Sequence, residues 1–459
     1  MAGTDTLSIP ATEIPVLGAY DVVVVGGGPA GIMAATAASR AGRSTLLIER
    51  YGFLGGAGSM GGLSTFCGLH ARVHGEDRLV VHGYADELLD RMAGYDGLNA
   101  PHLSIEDRIM ALSYDISALK LAADDLVTAG GAEILFHATA VGIVQADGGG
   151  IEAVIVESKS GRAAIRGRFF VDGSGDADLA AWAGAPFEHA EELLYPSLMF
   201  RIAGVDAERA GEAWRTVRRQ MEEAEAVGTH AFPRKKPIVR PQRHPGEWRS
   251  NLTQLSREDG RAIDGTDVLQ LTRGELQGRR QAWHAFSFIR ERTPGFEDAY
   301  IVDIAPQIGI RETRRIAGPY ALTEDDVRDC VDFPDTIGVN GWPVEAHVRG
   351  DVEFLFPRAA DSRGFNQIPY RVLVPRGVGN LLVAGRCASM TQRGQSAARV
   401  SGPCFVMGQA AGTAAALALE KGVAAADVDV SELQARLVAA GAYLGRDLAP
   451  DVPARPVAE

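Results

Sequence analysis

The sequence predicts an α/β chain in which a parallel sheet carries an antiparallel β-layer and is interrupted by an inserted α+β domain. Three observations lead there. Residues 20–25 (YDVVVV) and 44–49 (STLLIE) are β-branched or leucine-rich runs without polar alternation, as in strands buried on both faces. A glycine turn and an alanine-rich helical pattern join them. Between about 188 and 369 the texture changes to tryptophans, arginines and long polar stretches, after which buried-strand patterns resume.

Taken in order, residues 1–19 form a lead-in and residues 20–187 the first part of a nucleotide-binding domain. Strand 20–25 ends in GGGPAG (26–31), a helical pattern follows, and Gly42 sits where a helix C-cap glycine belongs. An alanine-rich helix before Gly131 leads into EILFHATAVGIVQ (133–145), which alternates like a strand. DGGG (147–150) reads as a hairpin turn, IEAVIVES (151–158) as its partner strand, and RGRFFVDGSGDADL as a further strand running into a glycine turn. Residues 188–369 are the expected substrate or cap domain, with prolines clustered in FPRKKPIVRPQRHP. Residues 370–445 return to the nucleotide domain through RVLVP and NLLVAGR, both read as strands, and a long glycine/alanine helix; residues 446–459 form a tail.

Composition narrows the function. The chain has 459 residues and a net charge of −13, which argues against a dedicated nucleic-acid binder. The apolar runs are expected to be too short to span a bilayer, the N-terminus lacks the basic start of a secretory signal, and a cytoplasmic enzyme is expected. Its four cysteines, Cys67, Cys330, Cys387 and Cys404, show no metal-ligand spacing and no redox C-x-x-C pair, so no metal is expected. The 54 glycines exceed the roughly 32 of average usage.

Gly26, Gly28 and Gly31 form G-x-G-x-x-G between a strand and a helix. The first permits the tight turn, the second lets a pyrophosphate approach the backbone, and the third lets helix and strand pack closely. Pro29 and Ala30 open the helix, whose free N–H groups suit phosphate. Glu49 ends the next strand 18 residues after Gly31, where a carboxylate accepts the ribose hydroxyls of an adenosine. This is a Rossmann-type dinucleotide site.

Three further stretches favour FAD over NAD: RYGFLGGAGSMGG (50–62), DGSGDADL (172–179) and VPRGVGNLLVAGRCAS (374–389). With PQIGIRETRRIAGPYALTEDDV (306–327) and NQIPYRVLVP (366–375), the sequence resembles FAD-dependent oxidoreductases of the glutathione-reductase type, relatives of fumarate reductase flavoprotein subunits and thiazole-forming enzymes. The resemblance runs from about residue 20 to 419. It implies cofactor contacts at Arg50, Gly55, Gly56, Ala57, Ser59 and Met60, at Val141, at Gly173 and Gly175, at Gly385 and Arg386 near the ribityl–phosphate region, and at Gly402 and Cys404, with Ser401 and Pro403, near the flavin carbonyl. Many relatives carry Asp in the late glycine turn where this chain has Arg386. No second strand-linked G-x-G-x-x-G occurs, so a built-in NAD(P)H domain is not expected.

Hydride chemistry at a flavin needs a proton-handling group and groups that hold the substrate. In WPVEAHVRG (342–350), Glu345 and His347 share a face if the chain is extended. His347 is the first choice of acid/base, with a structural histidine as the plain alternative. Arg371, beside Tyr370, precedes the strand returning to the flavin and suits a carboxylate or oxyanion; Tyr370 and Glu345 are further candidate bases. RETRR places Arg311 and Arg315 on one face if it is helical, and Arg311 is the arginine expected at the substrate. Cys67 and His70 are expected near the flavin, either packed against it or covalently attached. The basic stretch Arg234, Lys235, Lys236, Arg240, Arg243 and Arg249, opposed only by Glu247, reads as a solvated loop or an attractor of anions. The expected function is hydride transfer from a small polar, possibly anionic substrate to FAD. C=C reduction, monooxygenation and an electron-transfer subunit are the alternatives. The electron acceptor and oligomeric state are left open.

Overall fold

The computed structural model describes residues 6–104 and 108–446. Its central sheet has seven strands. Glu133–Leu135, Thr45–Ile48, Val16–Val25 and Gly161–Asp172 run parallel, in that spatial order. The long strand Gly161–Asp172 is shared by two layers. Its first half pairs antiparallel with Ile151–Ser158, which pairs in turn with Thr139–Gln145; its end pairs parallel with Leu381–Val383, Phe170 opposite Leu381. Val22–Val25 are at most 5 % exposed, as an unbroken apolar strand covered on both faces requires.

Helix Pro29–Arg40 begins with proline at its first turn, and residues 30–38 are all buried. It packs against helix Ser401–Lys421. The crossing is close because Gly408 and Gly412 lie against the carbonyls of Ala30 and Ala34, where a Cβ would come within 2.1 Å of either oxygen. Helix Ile116–Ala129 completes this layer, its N-terminus capped by Asp115, whose carboxylate accepts from the N–H groups of Ser117 and Ala118.

The cap has its own core. Strands Ile238–Pro241, Trp248–Asn251, Phe200–Ala203 and Tyr300–Ile304 form an antiparallel sheet, and the 25-residue helix Val268–Arg292 buries Ala282, Phe286 and Ile289 in a cluster with Phe200 and Trp248. The hairpin Val344–Val348 with Asp351–Leu355 and the pair Thr336–Asn340 with Asn366–Pro369 lead back to the central sheet.

Several sequence expectations change here. The first strand starts at Val16, inside the supposed lead-in. EILFHATAVGIVQ is two strands at opposite edges of the central sheet, divided near His137, whose φ is +56°. RETRR is not helical: Arg314–Ile316 pairs with Phe187–His189. RVLVP is a 3₁₀ turn, Tyr370–Leu373. By length and composition, Ser401–Lys421 is apolar enough to cross a membrane, contrary to the expectation from run length; in the structure it is a core helix, 89% buried. The expected tail, from residue 447, lies outside the described residues.

Candidate functional site

A cleft enclosing about 2100 Å³ of atom-free space, open solvent included, lies between the carboxyl ends of the parallel strands and the cap. That is the crevice where open α/β sheets bind ligands. At one end the glycine turn is built by close backbone approach. Gly26, at φ +97°, lies against Gly173, and a Cβ on Gly31 would fall 1.8 Å from the Gly26 carbonyl. Gly28 differs: a Cβ there would meet nothing nearer than Gly56 Cα at 3.8 Å, so it faces open space in the cleft. Glu49 is buried, with Oε2 accepting from Gly27 N–H at 2.7 Å and Oε1 from Tyr51 N–H at 2.9 Å. It therefore shapes the turn as well as lining the cleft. A glycine turn with one open face, a helix N-terminus and this carboxylate fit a dinucleotide pyrophosphate and ribose.

Of the predicted cofactor residues, Gly26, Gly28, Pro29, Ala30, Glu49, Arg50, Gly56, Ala57, Met60, Gly173, Gly175, Gly385, Arg386 and Cys404 line the cleft. Gly31 packs beneath it. Gly55 donates its N–H to Gly27 O, the Ser59 hydroxyl bonds Leu54 O, and Gly402 packs on Gly68; these support the walls without lining them. Val141 is exposed on the strand whose neighbours Thr139 and Ala140 line the cleft. Arg386 donates to Gly175 O, Ile310 O and Asp176 Oδ1 at 2.6–2.7 Å. The acid absent from the late turn is thus present nearby on Asp176.

At the cap end, Val344–Val348 is extended, and Glu345 and His347 share a face as alternation requires. His347 Nε2 is 3.1 Å from Glu345 Oε1, and Trp342 Nε1 donates to Oε2 at 2.9 Å. Burial acts first on Glu345 and would raise its carboxyl. The hydrogen bond from His347, the Arg399 charge and the bond from Trp342 outweigh it and hold the carboxyl at about 2. Burial, followed by the charge of Arg311, holds His347 well below its ordinary 6.5 despite Glu345. A neutral ring beside an ionised carboxylate carries its proton on Nε2, a tautomer assigned from that bond, and leaves the Nδ1 lone pair free.

Arg311 lines the cleft, donating to Tyr195 O and Ser197 Oγ, each at 2.8 Å. Its companions are elsewhere. Arg315 pairs with Glu312, and Arg314 with Asp178. Cys67 lines the cleft, its thiol pushed up to about 12 by burial, whereas His70 does not reach it.

Two catalytic expectations are corrected. Arg371 lies over the rings of Tyr320 and Phe333, 3.5 Å from Asp335, and the Tyr370 hydroxyl donates to Ala425 O at 2.7 Å. Neither lines the cleft, because the 3₁₀ turn carries both away from it. The basic stretch is not a solvated loop throughout either: Arg234 is 2 % and Arg249 6 % exposed. Sequence reading missed Asn251 and Arg399, which also line the cleft. The strand alternation of WRSN and an arginine two residues before the last long helix were the available signals.

The model of the family described as FAD dependent oxidoreductase matches residues 21–437. No curated protein matches. Among solved structures, the chain is similar to a geranylgeranyl bacteriochlorophyll reductase-like protein from Thermoplasma acidophilum, at 14% identity over 92% of this chain and 83% of that one, with a TM-score of 0.47. It is also similar to p-nitrophenol 4-monooxygenase from Pseudomonas putida DLL-E4, at 12% identity over 91% and 84% of the two chains, with a TM-score of 0.45. The THI4 of Thermovibrio ammonificans matches at 19% identity over 36% and 61%, with a TM-score of 0.26.

Proposed function

The chain belongs to the family of FAD dependent oxidoreductases, and from that premise we propose that it takes hydride from a small polar, anionic organic substrate, with His347 removing the proton. When bound, FAD supplies the two-electron acceptor. The Gly26–Gly31 turn and Glu49 would hold its pyrophosphate and ribose, and the turn at Gly385 would lie against the ribityl chain.

The observation that carries the reading is the Glu345–His347 pair in the cleft wall. Nε2–H is fixed on Glu345, which leaves Nδ1 as the basic atom of a ring that lines the cleft. A substrate O–H or N–H within hydrogen-bond reach of Nδ1 loses its proton there as hydride leaves the adjoining carbon. Glu345 then faces the imidazolium and stabilises it. Trp342 and the Arg399 bond to the Glu345 carbonyl at 3.2 Å keep that carboxylate in place. Arg311 stands on the same wall, suited to orient an anionic group.

The test is an anaerobic screen of small hydroxy- and amino-acids for bleaching of the flavin, followed by His347→Gln. The variant should retain FAD and substrate affinity and slow flavin reduction by about 10²–10⁴-fold. Reduction at the parent rate would remove His347 from the mechanism.

A further inference from the structure

The cleft wall holds more positive charge than proton transfer uses. Arg249 and Asn251 are two apart on the cap strand Trp248–Asn251 and both line the cleft; Arg311 and Arg399 line it from other segments. Arg234 is buried in the same neighbourhood. Glu345 is the carboxylate whose charge all four guanidiniums share, and it is already engaged by Trp342 and His347. Asp351 also acts on Arg234 and Glu312 on Arg399, but each is already paired with another cation, Asp351 with Lys236 and Glu312 with Arg315, so the four guanidiniums outnumber the carboxylates left to them.

Their hydrogen bonds point the same way. A guanidinium has five N–H donors. Arg249 donates to Leu63 O, Arg234 to Lys236 O, Arg399 to Glu345 O, and Arg311 to Tyr195 O and Ser197 Oγ. All these acceptors are neutral. Among the described residues, Arg249 Nε, Arg399 Nε, one terminal nitrogen of Arg234 and Asn251 Oδ1 are buried without a partner. Buried cations without counter-charge are costly and are retained where a ligand supplies it.

We propose that the substrate carries at least two negative charges on carboxylate or phosphate oxygens, received by Arg249, Arg311 and Arg399. This rests on the cleft being the substrate site, as in the reading above, and is independent of which group is the base. The guanidinium fork matches paired oxyanion oxygens, and arginines from the cap and from the segment before the last long helix enclose the ligand between them.

The experiment titrates the FAD-loaded enzyme with malonate, inorganic phosphate and acetate at constant ionic strength, reading the flavin difference spectrum and the FAD content. At least one dianion should bind saturably and at least about tenfold more tightly than acetate; whether malonate or phosphate is preferred separates the two oxyanion chemistries. Arg249→Met should weaken the dianion by about tenfold or more, with Arg249→Lys recovering only part. If Arg249→Met fails to fold, Asn251→Asp serves: nearly isosteric, it sets a carboxylate among the guanidiniums and should weaken dianions by a similar factor. Acetate binding as tightly as both dianions, no saturable effect of either dianion, or unchanged dianion affinity in Arg249→Met or Asn251→Asp would overturn the proposal. So would loss of FAD with unchanged anion affinity, which would assign the charge to the cofactor. Binding is read here without turnover, so this result stands apart from the His347→Gln rate.

Discussion

Replacing Gly31 with alanine would put a Cβ 1.8 Å from the Gly26 carbonyl oxygen, when real Cβ atoms essentially never approach closer than 3.0 Å. The helix Pro29–Arg40 would have to retreat by about 1.2 Å, and it has nowhere to go, since residues 30–38 are buried and Ser401–Lys421 packs close behind. Overpacking costs about 1–3 kcal/mol, and an obstacle made of backbone rather than a mobile side chain places this case near about 3 kcal/mol. Gly28 is the control within the same motif. Its φ of −76° and ψ of −176° suit any residue, and a Cβ there is free of protein atoms out to 3.8 Å. Gly28→Ala should therefore leave stability unchanged or raise it by about 0.4–1 kcal/mol, while its methyl group enters the space where a pyrophosphate approaches. FAD retention should fall in Gly28→Ala and be lost in Gly28→Val. Urea unfolding followed by far-ultraviolet circular dichroism, with the slope held constant, reads the first effect, and flavin absorbance after desalting reads the second. A parent-like unfolding midpoint for Gly31→Ala, or full flavin content in Gly28→Val, would refute this division of roles.

Four other outcomes are expected. Because burial and Arg311 hold His347 well below 6.5, flavin reduction by substrate should stay flat as pH falls through 6.5, where an exposed histidine base would already be half protonated. The unfolded chain accepts a proton there that the folded chain refuses, so stability should decline as pH drops below 6.5, and His347→Gln should remove that part of the decline in thermal melts. Tyr370→Phe should cost about 1 kcal/mol for its bond to Ala425, and neither it nor Arg371→Met should alter the rate of flavin reduction in stopped flow. Cys67, its thiol held protonated at about 12, should resist iodoacetamide at pH 8 in the folded protein and react once unfolded, as mass spectrometry of the labelled peptide would show.

What could be read from the sequence was local. The glycine turn and Glu49 depend on spacing within thirty residues, and the Glu345–His347 contact follows from strand periodicity alone. The arginine cluster depends on long-range contacts. Arg234 and Arg249 come from one basic stretch, but Arg311 and Arg399 come from distant parts of the chain, and the four meet only after the cap folds onto the sheet. Arg371 was misjudged because nearness along the chain to a returning strand is not nearness to the cleft; one 3₁₀ turn redirects it onto Asp335. RETRR has good helix formers, yet pairing with Phe187–His189 overrides that preference. Ser401–Lys421 is apolar almost throughout because it is enclosed by protein, a pattern that composition alone cannot tell from a bilayer span.

Strands Gly161–Asp172 and Leu381–Val383 are parallel neighbours, and parallel neighbours cannot be joined by a hairpin. The chain that leaves at Asp172 returns at Leu381 about 200 residues later. Where a minimal sheet would use one crossover helix, this chain uses its whole cap. The register between Phe170 and Leu381 belongs to the sheet, whatever the crossing chain contains. Away from the Gly173–Gly175 turn and the Ile310 carbonyl that holds Arg386, the crossing chain can vary in length and content while the turns at Gly26, Gly173 and Gly385 keep their positions. Under the reading proposed above, Arg249, Arg311, Glu345 and His347 belong to the crossing chain, while the Gly26–Gly31 turn and Glu49 belong to the sheet. Exchanging the crossover would then change most of what meets the substrate, with Arg399 left behind on the sheet side.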